Sequence, residues 1–268
     1  MLPSDFAALR VGLFGAGRVA AALGPALAAA GHHVVFVAGR TLGPAQALAA
    51  QLPGCLVWAP PAALPPADVY LLAVPDAAVP TLLKAVHWPD GAVVAHLAGA
   101  VPLAIFEAAP QVRGGVLYPL QTFSAGRAID WPTVPLFVEA ASAPAEARLL
   151  ALARSLSQQV APLDSAQRLR LHLGAVWASN FTNHLLGVAQ ALLAEANLPF
   201  GLLHPLVRET VAKALAAQAS PFGVQTGPAV RHDVPTLVAH EAALDAHPAW
   251  QALYAQLSDS IQAAATRG

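Results

Sequence analysis

Gly15-Ala16-Gly17-Arg18-Val19-Ala20 is a G-x-G-x-x-A pattern that directly follows the apolar run from Leu9 to Phe14. Small residues at these spacings suit a phosphate-bearing ligand. Gly15 allows a tight turn, Gly17 lets backbone approach a pyrophosphate, and Ala20 is small enough for a helix to pack closely on a sheet. The unpaired N–H groups at the start of that helix, over residues 15 to 19, would then face the anion. Alanine- and glycine-rich chains produce such patterns by chance, so context decides. Here a strand precedes the pattern, a helix follows, and a second strand ends near Ala38, which completes a βαβ unit and reads as dinucleotide binding. At the end of the second strand, where a carboxylate would bond the ribose hydroxyls of NAD, stands Gly39-Arg40-Thr41. With no carboxylate to repel it, a 2′-phosphate can sit against the Arg40 guanidinium and the Thr41 hydroxyl, so the expected cofactor is NADP. A merely solvated Arg40 would oppose the dipole of the helix it starts.

Two further strands close at the same edge, with Val74-Pro75-Asp76 and Leu97-Ala98-Gly99-Ala100. Val74, Pro75 and Gly99 are expected beside the nicotinamide half, and Asp76 is expected to cap the next helix. A reaction site is expected on the long helix that begins near Ser165. At 100° per residue, His172, Val176, Ser179, Asn180, Asn183 and Gly187 share an arc of about 100°. His172 is the expected proton donor, with Asn180 and Asn183 orienting a carbonyl or imine. The alternative is a polar network internal to the protein, or a solvated face. The turn Tyr118-Pro119-Leu120-Gln121-Thr122-Phe123-Ser124 should form the opposite wall, and Tyr118, Gln121 and Ser124 are expected to contact substrate. His240-Glu241 with His247 lacks metal-site spacing, so no metal is expected. Hydrolase and phosphate-loop kinase motifs are absent from the sequence.

These residues need a scaffold, and the sequence predicts an α/β one. Strands are expected near 9–14, 33–38, 54–58, 69–74, 92–97, 113–118 and 134–138, with helices near 18–30, 43–51, 76–86 and 144–158, the alternation of a parallel sheet with crossover helices. After Asp164 the strand-like runs stop. One long helix is expected over about 165–197, then helices near 200–219, 234–246 and 248–265. The expected fold class is thus α/β: a Rossmann-type, doubly wound, mostly parallel sheet over 1–163 and a second, all-α domain over 164–268.

Composition bounds the partners. The 268 residues are 56% hydrophobic and 11% charged with a formal net charge of -1, which leaves no basic excess for nucleic acid or anionic lipid. Cys55 is the single cysteine, so no internal disulfide can form. Uncharged stretches between Arg40 and Asp68 and between Val19 and Gly39 are interrupted by prolines and glycines, so no membrane span is expected. The N-terminus lacks a secretion signal's basic start, and the cytoplasm is the expected compartment.

GAGRVA, VPD, HLAGA, YPLQTFS, HLGAVWASNFTNHLL and TGPAVRHD together resemble one family along nearly the whole chain. They look like the Rossmann-like proteins with a C-terminal domain of unknown function, DUF2520, relatives of pyrroline-5-carboxylate reductase and of the F420-dependent NADP oxidoreductases. The resemblance implies an NADP-binding N-terminal domain, a helical C-terminal domain that forms a homodimer, and an oxidoreductase activity without an assigned substrate. It likens 226–233 to the reductases' substrate loop, where Arg231 would hold a substrate carboxylate; an Arg231–Asp233 pair, or Asp233 as a helix cap, is the alternative. Tyr118 stands where many relatives carry histidine and Ala98 where they carry serine. The K-x-x-x-N motif of the wider β-hydroxyacid dehydrogenases is missing, with Val176 at the lysine position. The expected function is an NADP-dependent reductase passing hydride to a small carbonyl or imine. The alternative is an NADP-binding sensor that catalyses nothing.

Overall fold

A computed structural model describes residues 7–266. The first six residues, part of the stretch read for a secretion signal, lie outside them. Eight strands form one sheet: β1 (Arg10–Phe14), β2 (His33–Ala38), β3 (Leu56–Val57), β4 (Val69–Leu72), β5 (Val93–His96), β6 (Arg113–Pro119), β7 (Leu136–Ala140) and β8 (Val160–Pro162), in the order β3-β2-β1-β4-β5-β6-β7-β8. All neighbours pair in parallel except β6 and β7. The chain between those two carries a single short 3-10 turn, Trp131–Thr133. Without a crossover helix it can return only antiparallel.

Helices α1 (Arg18–Ala29), α2 (Leu42–Ala49), α3 (Val79–Ala85) and α4 (Ala143–Leu156) cover the sheet. The central strands are short apolar runs because both of their faces are buried. Alternate residues serve opposite cores. Leu13, Leu71 and Ala95 pack with Leu23 of α1, Leu48 of α2 and Leu149 of α4, while Phe14, Tyr70, Leu72 and Val94 pack with Leu83 of α3 and Trp88. Strand order reverses at β1, whose neighbours β2 and β4 lead away in opposite directions. The crevice beyond the carboxyl ends of such strands is where open α/β sheets bind ligands.

Several elements differ from expectation, two of them beside the helical half. β8 is three residues ending in Pro162, too short to stand out from the polar Gln158-Gln159 before it. The long helix is divided into α5 (Ser165–Ala175), a π-helical turn Val176–Phe181, and α6 (Thr182–Glu195). No glycine or proline marks that turn, so nothing in the sequence distinguishes it from α-helix.

The chain separates into two compact units, 1–180 and 181–268. The change of period near 163 falls earlier than this division because α5 is tied into the first unit. Asp164 and Gln167 form a reciprocal capping box at its start. One turn on, Arg168, 1% exposed, pairs with Glu139 of β7 and donates to the Val101 carbonyl. Ser165 donates to the same carboxylate at 2.8 Å and accepts from the Leu103 N–H at 2.9 Å.

The second unit contains α6, α7 (His204–Ala216), α8 (Val234–Ala243) and α9 (Pro248–Ala265), with short 3-10 turns at Phe200–Leu203 and Pro221–Val224. None of these four helices has a fully buried residue. Leu206, Leu215 and Phe222 are 63%, 83% and 73% exposed. Among the described residues no helix is long and apolar enough to cross a membrane.

Candidate functional site

The glycine turn lies at the carboxyl end of β1. Gly15 has φ +113°, and a Cβ there would stand 2.1 Å from the Ala73 carbonyl oxygen, so both its conformation and its neighbour demand glycine. Its N–H donates to the Ala38 carbonyl at 2.7 Å, which fixes the turn against β2. Gly17 is the N-cap of α1, where a Cβ would meet nothing within 4 Å. No side chain caps α1 and no acidic residue occupies its first turn. The first N–H groups of the helix, on Arg18 and Val19, therefore open toward exposed Gly17 with the positive end of the dipole behind them.

Arg40 and Thr41 are exposed at the end of β2. Thr41 is the N-cap of α2, yet its side chain makes no capping bond. Among the described residues the ion pairs are Arg168–Glu139 and His247–Glu195, so Arg40 has no carboxylate partner. Beside these residues runs an apolar groove of about 340 Å³, lined by Gly15, Gly39, Arg40, Val74, Trp58 and Leu82 among others. Trp58, which sequence reasoning missed, is held by bonds from its indole N–H to the Ala62 and Ala63 carbonyls at 3.1 and 3.0 Å. Ala16 and Pro75 lie in the turns after β1 and β4. Asp76 is exposed at the head of a 3-10 turn and makes no capping bond. The cap expected of it is not formed, because the chain enters that turn through Pro75 as N-cap.

A second cavity, about 430 Å³, lies between the turn after β6 and the face of α5 with its π continuation. Tyr118, Gln121, Thr122, His172, Ser179 and Asn180 supply its polar lining. His172 is seated by two contacts. Its Nδ1 lies 3.1 Å from the Tyr118 hydroxyl, the two rings meeting edge to face at 75°. It also rests on Gly99, where a Cβ would come within 2.5 Å of Nδ1. Burial pushes the Tyr118 phenol above its usual range, against an opposing pull from the Arg168 charge, while Asp76 reinforces the rise.

The constant 100° step used to align the polar stripe does not hold through the π turn: Ser179 and Asn180 of the stripe reach the cavity, and Ala178, which the stripe left out, lines it between them and Val176. Gln121 folds back to accept from the Thr122 N–H at 2.7 Å. Ser124 is exposed and is not among the residues lining the cavity. Asn183 and Arg231 belong to the second unit. Arg231 is exposed there, and the alternative Arg231–Asp233 ion pair is not formed, because Asp233 caps α8 by accepting from the Thr236 N–H and hydroxyl at 3.3 and 2.8 Å.

Two groups outside the cavity lining were not read from the sequence. The Glu139–Arg168 pair joins β7, α5 and the segment that carries Gly99. His96, at the end of β5, is fully buried, stacks on Phe106 and accepts from the Ala98 N–H at 3.2 Å through Nδ1. Burial, then the Arg168 charge, lowers its pKa to about 3, against the opposing influence of the Pro102 carbonyl. Glu139 could have been noticed as the one charge in the run Pro135 to Ala140, but its partner lies 29 residues away and nothing in the spacing reveals it. No group of histidine, cysteine, aspartate or glutamate suited to a metal ion occurs among the described residues.

The chain matches a Rossmann-like domain over residues 4–122 and the domain of unknown function DUF2520 over residues 134–261. A Bacteroides fragilis protein provisionally described as an NADP oxidoreductase is 38% identical, with 95% of this chain and 98% of that one covered and a TM-score of 0.87. A reductive aminase of Aspergillus terreus, solved with NADPH and ethyl-5-oxohexanoate, shares the fold at 20% identity, 98% and 95% coverage and TM-score 0.72. So does a 1-pyrroline-5-carboxylate reductase of Streptococcus pyogenes, at 14% identity, 96% and 99% coverage and TM-score 0.60. A search of the curated proteins found no match. Identity, coverage and the two successive domain matches agree, and the chain belongs to the family of Rossmann-like proteins that carry a DUF2520 domain.

Proposed function

We propose that this protein is an NADP-dependent oxidoreductase that transfers hydride between nicotinamide and a small carbonyl or imine. The observation that carries the reading is the conjunction at the β1 edge. An uncapped helix start stands behind Gly15 and Gly17, and a cation and an unused hydroxyl stand at the end of β2 with no carboxylate beside them. The residues fit the cofactor: backbone over 15 to 19 for the bridging phosphates, Arg40 and Thr41 for the 2′-phosphate, and the groove beside Trp58 for the adenine. Val74, Pro75 and Gly99 would flank the nicotinamide. The 38% identical relative described as an NADP oxidoreductase supports the same reading.

When bound, the coenzyme supplies the hydride chemistry. The chain supplies position and the proton. His172 would protonate the substrate oxygen or nitrogen, while Asn180 and Gln121 of the same cavity orient the substrate. We further propose a cytoplasmic homodimer formed through the helical half, since α6 to α9 have no buried residue and leave Leu206 and Leu215 exposed.

Steady-state NADPH oxidation across keto acids, aldehydes and cyclic imines tests the activity. The expected result is turnover of at least one class, with His172→Ala slower by ~10²-fold or more. Tight NADPH binding with no turnover of any class would transfer the protein to the sensor reading.

A further inference from the structure

We infer that Tyr118 is the positioning and proton-relay partner of His172: it donates to Nδ1, holds the imidazole in the tautomer that carries its proton on Nε2, and refills the ring once that proton leaves. The inference rests on the proposed role of His172 as proton donor. The geometry itself stands without that role, because Tyr118 and His172 meet at 3.1 Å in the protein with no ligand involved.

Three observations point the same way. Tyr118 is 7% exposed, and its hydroxyl is directed at Nδ1, although both rings line the same cavity. Phe137 stacks on the Tyr118 ring at 29° on the neighbouring strand, and the imidazole packs on Gly99, where no side chain competes for its place. Burial, with Asp76 reinforcing it and Arg168 opposing it, keeps the phenol protonated, so at neutral pH the hydroxyl has a proton to donate, and the inference assigns Nδ1 as its acceptor. An imidazole that accepts at Nδ1 carries its proton at Nε2. Nε2 is then the ring nitrogen with a proton to give, on an imidazole that lines the cavity.

The proton bookkeeping closes. As a carbonyl oxygen receives the Nε2 proton, the Tyr118 O–H bond breaks and an Nδ1–H bond forms. The imidazole ends neutral with its proton on the other nitrogen, and Tyr118 ends as phenolate. One proton taken from water at Nε2, which leaves hydroxide to the bulk solvent, with return of the Nδ1 proton to the phenolate oxygen, restores the starting state. The electrons reducing the carbonyl carbon come with the hydride from the reduced nicotinamide of the proposed function.

The test is ¹⁵N NMR of the full chain labelled at histidine, without coenzyme, with the His172 signals assigned by their loss in His172→Gln. The expected wild-type pattern is a neutral imidazole protonated at Nε2 with an unprotonated, hydrogen-bonded Nδ1. Tyr118→Phe, which keeps the ring and its stacking, should release that pattern into a mixture of tautomers. It should also lower kcat by ~10- to 100-fold with KM within about twofold, a split that looser packing would not produce. A wild-type His172 protonated at Nδ1, or a pattern unmoved by Tyr118→Phe, overturns the inference whatever the activity. A chain with the expected tautomer whose His172→Gln variant turns over at the full rate instead removes the proton-donor reading and leaves the pair as a structural contact.

Discussion

His96 makes the stability of the fold depend on mildly acidic pH. Its imidazole is completely buried at the end of β5 and stacked parallel on Phe106, and its Nε2 has no hydrogen-bond partner. In the unfolded chain it titrates near 6.5; in the fold, burial and the Arg168 charge lower this to about 3. Because the folded pKa is depressed, the contribution is fully present above 6.5 and is lost as pH falls toward 3, a window in which the unfolded chain binds a proton that the folded chain refuses. Each pH unit inside the window is worth about 1.4 kcal/mol, so going from about pH 7 to about pH 4.5 removes roughly 2–3 kcal/mol through this group alone. Against a typical stability of about 5–15 kcal/mol that loss is large. His96→Asn isolates it, since the Asn oxygen can accept from the Ala98 N–H as Nδ1 does and does not titrate in this range. Urea denaturation of both proteins at the two pH values should show wild type losing roughly 2–3 kcal/mol more than the variant. His32, lowered by burial and by neighbouring His33, is present in both proteins and cancels. Equal losses for the two proteins would refute the reasoning.

Three other expectations follow from the same contacts. Gly99→Ala puts a methyl group within 2.5 Å of His172 Nδ1, so the ring must leave Tyr118; stability should drop by about 1–3 kcal/mol in thermal melts, and turnover should fall with it. Arg168→Met leaves the Glu139 carboxylate without its partner and should cost about 3–5 kcal/mol, whereas Arg168→Met combined with Glu139→Gln should recover much of that in a double-mutant cycle. Leu206→Glu with Leu215→Glu should lower the sedimentation mass from twice 27.4 kDa toward that value, because each large apolar side chain covered by a partner contributes about 1.5–3 kcal/mol. A wild-type chain that sediments as a monomer would remove the dimer from the account.

The parts of the fold governed by local chemistry were legible in the sequence. β1, the glycine turn and α1 follow from an apolar run, a G-x-G-x-x-A pattern and a helix-forming stretch, and the structure has them within a residue of expectation. The doubly wound arrangement follows from apolar runs alternating with alanine-rich segments. What depended on distant partners was not legible. Arg168 looks like a surface residue in Gln167-Arg168-Leu169-Arg170, and only the fold brings Glu139 and the Val101 carbonyl to it. The Tyr118–His172 contact spans 54 residues. The π turn at Val176–Phe181 depends on a choice of hydrogen-bond register to which these residue types are nearly indifferent, so a stripe drawn at constant pitch drifts after Val176. Asp76 and Asp233 show the same limit at helix starts. Both are good capping residues, yet only Asp233 stands at the N-cap, while the chain gives that position to Pro75 ahead of Asp76.

Calorimetric titration of the full chain and of Arg40→Ala with NADPH and with NADH tests the central claim most directly. A charge-assisted contact to the 2′-phosphate is worth about 1.5–3 kcal/mol. The account therefore predicts tighter binding of NADPH than of NADH by wild type, and a loss of ~10- to 100-fold for NADPH alone in the variant. Absence of heat with either coenzyme at millimolar concentration, or equal losses for both in Arg40→Ala, would contradict it.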